Sequence, residues 1–226
     1  MTTVKKHDFV ELEYTGRILE TKEVFDTTNA DVAKASGMFD PEGKYAPTVI
    51  CVGKGHLLPG IDRQLEGKDV GQEYTFRLEP EDAFGKKDAK QLKLMASASF
   101  KKQKVVPQPG LQVSIDGKMG TIRSVAGGRV VVDFNHPLAG RQLEYQVKVL
   151  RLITDKAEQL TALTKLTLGR EPAGVLVEGE SAKLFFEVEL PEHFAKELAK
   201  EFKDMTGLQV EMLKKPDEKA VEEGTA

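Results

Sequence analysis

The sequence contains one cysteine, Cys51, among 226 residues. A lone cysteine excludes an internal disulfide, and its position inside an apolar run points to a reducing, cytoplasmic compartment. No 18-residue apolar stretch and no charged-then-apolar leader occurs, so neither a membrane span nor a membrane partner is expected. Charge of one sign is missing too: 33 basic residues face 36 acidic ones, a net of -3 that gives no global pull toward nucleic acid. No serine stands in a Gly-x-Ser-x-Gly elbow, which leaves no obvious nucleophilic triad, and no phosphate-cradling glycine loop precedes a helix. His7, His56, His136 and His193 are far apart and read as surface or turn residues. The carboxylates Glu79, Glu81 and Asp82 read as a solvated acidic loop. We therefore expect no metal and no cofactor.

What the chain does have is β-periodicity in blocks of different character. Val10, Leu12 and Tyr14 alternate with Glu11 and Glu13, a half-buried strand whose regular pattern ends at Thr15-Gly16. Val24-Phe25-Asp26 follows a polar turn, and the punctuated segment from Asn29 to Pro47 reads as a surface loop. Val49 to Val52 is an unbroken apolar run, a strand buried on both faces. Leu57, Ile61 and Leu65 then recur at helical spacing, with Pro59 at the opening and Gly67 just beyond the end, which predicts a very short helix lying on a sheet. Tyr74, Phe76 and Leu78 form a further strand. The loop around Phe84 leaves a lone aromatic that needs an apolar partner. Strict alternation returns with Leu143, Tyr145, Val147 and Val149.

Between Lys86 and Phe134 lie ten Lys or Arg against Asp88, Asp116 and Asp133, about +7, leaving about -10 for the rest of the chain. Asp116-Gly117 between two apolar runs predicts a tight hairpin, and this segment reads as a small all-β insert. Its lysine-rich lead, Lys101, Lys102 and Lys104, has no interleaved aromatics and reads as solvated surface. Beyond Asp155, two strands (Val175 to Val177 and Ala182 to Leu190) precede a helix opened by Pro191 and carrying a stripe of Phe194, Leu198, Phe202 and Met205. A last strand holds Leu208, Val210 and Met212, and the residues after Lys214 read as a frayed tail. The resulting β-β-α-β unit of about 70 residues is near the lower limit for an independent core, so docking or a homodimer through it would help.

Several of these motifs stand together in a known order. Glu13-Tyr14-Thr15-Gly16, Val24-Phe25-Asp26, Val52-Gly53 with Leu57-Leu58-Pro59-Gly60-Ile61, Leu65-Glu66-Gly67, Val70-Gly71 and Ala83-Phe84-Gly85 resemble the FKBP-type peptidyl-prolyl isomerases. The interruption after Gly85 and the return through Asn135-His136-Pro137-Leu138-Ala139-Gly140 resemble the SlyD-like members, and the further C-terminal unit resembles the long archaeal type. The resemblance covers about residues 4 to 153. It implies an α+β fold, an FKBP-like antiparallel sheet wrapped on a short helix, with an inserted small all-β domain and a C-terminal β-β-α-β domain. The divisions are 1–85 with 136–153, 86–135, and 154–226.

The resemblance further implies catalysis of X-Pro rotation without covalent chemistry. Tyr14, Asp26, Phe84 and Tyr145 are the implied catalytic residues, and Phe25, Leu57, Leu58, Ile61 and Leu138 the implied substrate-binding ones. The insert would act as a chaperone site for unfolded or proline-containing polypeptides, with Leu94, Met95 and Phe100 as candidates. The chain departs from the family pattern where Ile61 replaces a pocket-floor tryptophan, where Phe84 replaces a tyrosine, and where Thr48 stands in a place often aromatic. A binding module without turnover is the competing expectation, and Phe84 and Ile61 are the features that favour it.

Overall fold

A computed structural model describes residues 2–102 and 104–216. The tail expected to fray beyond Lys214 lies, from residue 217, outside the described residues, as do the side chains of Lys101 and Lys102 in the lysine-rich lead. The first sheet is built on β1 (Phe9–Ile18), which pairs antiparallel with β2 (Val24–Thr27), β3 (Thr48–Cys51) and β9 (Leu143–Leu152). Strand β4 (Glu73–Leu78) completes five strands by pairing with the far side of β9. β1 runs past Thr15-Gly16, where the alternation was expected to end, because a register shift at Gly16/Arg17 absorbs the irregularity.

Helix α2 (Pro59–Leu65) lies on this sheet with Ile61 and Leu65 buried. It approaches β4 so closely that a Cβ at Gly60 would stand 2.5 Å from the Leu78 side chain. Pro59 opens it and Gly67, at φ 79°, stands just beyond its end, as the spacing predicts. The segment from Asn29 to Pro47 is not wholly a loop: α1 (Ala30–Ala35) starts at Asn29, whose side chain accepts from the N–H groups of Asp31 and Val32. An Asn cap followed by alanines is a sufficient helix signal, outweighed in the sequence by the polar punctuation around it.

The inserted segment forms its own four-stranded sheet in the order β5 (Leu92–Ala96), β8 (Arg129–Asp133), β7 (Lys118–Ala126), β6 (Gln112–Ile115). Asp116 and Gly117 both take left-handed backbone, φ 51° and 75°, as the tight hairpin requires. The insert is not all-β, however. Helix α3 (Ser97–Lys102) follows β5, and its Phe100 is only 3% exposed, plugging the core of Ile122, Val130 and Val132.

The C-terminal part differs from the expected β-β-α-β unit by a whole leading helix, α4 (Lys156–Leu168), capped by Asp155 and ended by Gly169. Its buried face is Gln159, Leu160, Leu163 and Thr164, so half of the inward positions are polar and the apolar period is blurred. Those polar groups are satisfied: Gln159 donates to the Ile153 carbonyl at 2.7 Å and Thr164 to the Leu160 carbonyl at 2.8 Å. Strands β10 (Gly174–Glu178) and β11 (Ser181–Phe186) follow, the second stopping short of Leu190. Helix α5 (Glu192–Thr206) then leads to β12 (Gln209–Lys214), which pairs parallel with β11. Their core takes in Phe9, Cys51 and Ile153 from the rear of the first sheet. The small unit thus gains its missing burial by docking within the chain.

Phe194, expected in the buried stripe of α5, is 39% exposed, whereas Phe202 is fully buried. Phe202→Ala should cost about 3–5 kcal/mol in urea unfolding and Phe194→Ala less than about 1 kcal/mol. Equal costs would contradict this placement of the helix.

Candidate active site

The site begins with a row of three residues across three strands. In the register, Gly16 of β1 stands opposite Asp26 of β2 on one side and Tyr145 of β9 on the other. A Cβ at Gly16 would lie 2.8 Å from Cε1 and Cζ of Tyr145 and 2.9 Å from Cζ of Phe25. The missing side chain is therefore the space into which two aromatic rings fold. The register shift beside Gly16 skips Phe25, pairing Arg17 with Val24. This bulge lets the consecutive residues Phe25 and Asp26 both serve one site, which simple alternation forbids.

The rings then brace one another. Phe25 meets Tyr145 edge-on at 5.7 Å between centroids and Phe84 edge-on at 6.3 Å, and Tyr14 lies 5.9 Å from Tyr145. Over them opens a hollow of about 320 Å³ lined by Tyr14, Asp26, Phe84 and Tyr145 and, from the α2 side, by His56, Leu57, Leu58, Pro59 and Ile61. Phe25 supports this wall from the ring cluster, and Leu138 packs on the adjoining core; neither lines the hollow itself. A groove of about 340 Å³ between α5 and β12 is similar in size, but it brings no tyrosine against a carboxylate.

The polar groups sit at the edge of this apolar space. The Tyr145 hydroxyl donates to Asp26 Oδ2 over a long 3.5 Å. Burial raises the Asp26 carboxyl above the ordinary carboxylate range, and hydrogen bonds from Tyr145, the Thr27 backbone and Tyr14 offset part of the rise. The Tyr14 phenol is pushed up to about 12, by burial first and by Asp26 second, and Tyr145 is raised by burial and then by the same carboxylate. Both phenols thus keep their protons at neutral pH and serve as hydrogen-bond donors. Nothing in the arrangement makes a nucleophile.

Two contributors were not singled out in the sequence. His56 had read as a surface or turn histidine, yet its Nδ1 accepts from the Cys51 N–H at 3.0 Å and the ring lines the hollow. Burial lowers its pKa against the opposing pull of Asp62 and Glu201, so the neutral ring carries its proton on Nε2. Asp62, buried on α2, accepts from the Gly53 N–H at 2.7 Å and the Gly55 N–H at 3.1 Å, pinning the loop that delivers His56, Leu57 and Leu58. Its position one residue after Ile61, on a helix too short to bury a carboxylate idly, was the available signal. Phe84, for its part, packs half-buried against the first core and meets the flat face of His136 at 4.2 Å.

The insert candidates separate. Phe100 is core, Met95 packs partly on that core, and Leu94 alone of the three is offered to solvent, at 59% exposure, beside exposed Leu92.

Residues 1–103 match the family described as FKBP-type peptidyl-prolyl cis-trans isomerase, and residues 93–138 match the family described as FKBP26, IF domain. Over 147 residues the chain is 34% identical to the short-type peptidyl-prolyl cis-trans isomerase of Methanocaldococcus jannaschii, covering 65% of this chain and 92% of that protein. It is 31% identical to the FKBP-type 16 kDa peptidyl-prolyl cis-trans isomerase of Escherichia coli over 137 residues, 58% of this chain and 86% of the relative. It is also 33% identical to the FKBP-type peptidyl-prolyl cis-trans isomerase SlyD of Vibrio cholerae over 109 residues, 46% and 54% of the two chains.

The sign of the Asp26 shift is testable. A carboxyl whose folded pKa is raised adds stability below its ordinary pKa and loses that contribution as pH rises through the raised value. Asp26→Asn should therefore raise the urea midpoint at neutral pH, and the gain should vanish near pH ~4, around the ordinary carboxylate value. A lower midpoint at neutral pH would contradict the assigned burial.

Proposed function

The chain belongs to the FKBP-type peptidyl-prolyl cis-trans isomerases and is an isomerase of that class; from that premise we propose that the hollow over Gly16 is its proline slot. The observation that carries the reading is the meeting of Tyr14, Asp26, Ile61, Phe84 and Tyr145 around one apolar space. Rotation about an X-Pro bond faces a barrier of about 20 kcal/mol because the twisted imide loses its resonance. The twisted state has a smaller dipole than the planar one, so a water-poor aromatic wall favours it without forming any bond. A lowering of about 7 kcal/mol corresponds to ~10⁵ in rate.

In this reading Ile61 is the floor for the proline ring, and the two tyrosines and Phe84 are the walls. Leu57 and Leu58 form the rim, with the Leu58 N–H, at the start of α2, available to a substrate carbonyl. Leu138 extends the apolar surround from the return connection. Asp26 acts electrostatically: its carboxyl faces the carbonyl of the rotating bond and orients the Tyr145 hydroxyl. Phe84 supplies apolar contact alone, since it has no hydroxyl to donate.

The finer organisation is proposed as well. The isomerase comprises 1–85 and 136–153, the insert 86–135, and the C-terminal unit 154–226, a division supported by three clusters of buried side chains. The insert captures unfolded polypeptide and raises its effective concentration at the slot, a role supported by Leu92, Leu94 and Met119 standing exposed within a basic segment. Pairing of two copies through the C-terminal unit is supported by β12, whose outer edge pairs with no other strand among the described residues. The sole cysteine, buried and unpaired, supports a reducing compartment. Among the described residues no helix is long and apolar enough to cross a membrane.

In a protease-free cis/trans assay on a proline tetrapeptide, Tyr145→Ala and Gly16→Ala should each lower kcat/KM at least about 10-fold. Parent-like rates in both variants would put the slot elsewhere. Replacing residues 87–133 by a short linker should spare tetrapeptide turnover and slow catalysed refolding of a proline-limited protein. Equal loss in the two assays would refute the division of labour.

A further inference from the structure

The two connections that lead into and out of the insert run side by side. Gly140 N–H donates to the Gly85 carbonyl at 2.8 Å. Further out, Asp88 N–H donates to Asn135 Oδ1 at 2.8 Å, and Asn135 Nδ2 returns a bond to the Asp88 carbonyl at 3.0 Å. Asn135 Nδ2 also donates to Asp133 Oδ1 at 2.7 Å, at the end of β8, which fastens the clamp to the insert's sheet. Beside these bonds, one side chain from each connection meets the other. The rings of Phe84 and His136 are parallel within 5°, with centroids 4.2 Å apart.

This stack differs from every other aromatic contact at the site. Tyr145 is buried on the sheet, whereas Phe84 sits on the loop after β4, half-buried against the first core, and touches Phe25 only by an edge. Its other face is covered by an exposed imidazole, so His136 adds little burial to the fold. A flat ring on a partly buried aromatic does restrict that ring's rotation and tilt. The His136 ring is itself oriented, because its Nδ1 accepts from the Leu138 N–H at 3.2 Å.

We propose that His136 is a positioning residue of the slot: by stacking on Phe84 it holds the slot's outer wall in place and ties that wall to the connection returning from the insert. The inference rests on Phe84 lining the slot, as read above. Ring stacking is the property that matters, not proton transfer, because no polar group of the imidazole faces the hollow. The role is therefore open to any flat side chain of similar reach.

The test is steady-state kinetics on a proline tetrapeptide with the full chain. His136→Ala should raise KM about 2–10-fold, the range that one stacked aromatic contact spans, with kcat changed less and the thermal midpoint nearly unmoved. His136→Tyr should restore most of the loss. In a Phe84→Leu background, His136→Ala should have no further effect, since the two act through one contact. A KM unchanged in His136→Ala, a loss that tyrosine does not restore, or a full effect persisting without Phe84 would overturn the proposal. If Phe84→Leu alone leaves turnover untouched, Phe84 is no part of the slot, and this reading falls with that assignment. If Phe84→Leu impairs turnover while His136→Ala does not, only the role of His136 is lost.

Discussion

The site depends on an empty position. Gly16 sits at the centre of the Asp26–Gly16–Tyr145 row, and any Cβ there would collide with two aromatic rings. Because the position is empty, Tyr145 folds down toward Asp26, Phe25 braces it from the side, and a hollow remains above them. The register shift next to it is the second half of the same device. Without the shift, Phe25 and Asp26 would face opposite sides of the sheet, and the carboxyl or the ring would be lost from the candidate site. One missing side chain and one skipped residue thus convert a sheet face into a pocket that combines apolar walls with a carboxyl held partly out of water.

The same strand that builds the front of the sheet anchors its back. Val10 and Leu12 go into the core beneath α2, while Phe9 goes into the core shared with α4 and α5. β3 divides likewise, Ile50 to the front and Cys51 to the rear. Polar links reinforce the seam: Arg151 on β9 donates to Glu11 on β1 at 2.7 Å and to Glu158 on α4. Such exposed pairs contribute little energy singly, so the rear attachment is chiefly a matter of buried apolar surface.

Much of this was legible in the sequence, for reasons that can be located. β4 and β9 have one apolar and one more polar face, β3 is apolar throughout its buried end, and the short helix is bounded by Pro59 and Gly67, signals that local chemistry makes strong. The reading failed where burial is achieved with polar side chains. α4 hides Gln159 and Thr164 behind hydrogen bonds to main-chain carbonyls, and a pattern search for apolar residues passes over it. His56 and Asp62 escaped notice for the same reason: both are polar groups whose value lies in one backbone partner apiece or two, fixed only when the chain has folded. Phe100 shows the converse limit, since an apolar residue in a basic segment reads equally as a sticky surface or as core, and only the packing of α3 decides. Phe84 finds the apolar partners expected of it, the first core and Phe25, and an imidazole besides, which no local pattern announces.

The strand order carries a consequence for how the chain is made. β9 lies between β1 and β4 and is the hydrogen-bonded neighbour of both, yet it follows the insert in the sequence. On a ribosome, the insert's hairpins are complete once Asp133 has emerged, while the two edges that await β9 are still unjoined and Tyr145 has not yet been added. The polypeptide therefore completes its inserted sheet before its first sheet can close, and the hollow over Gly16 cannot form until the insert has been made.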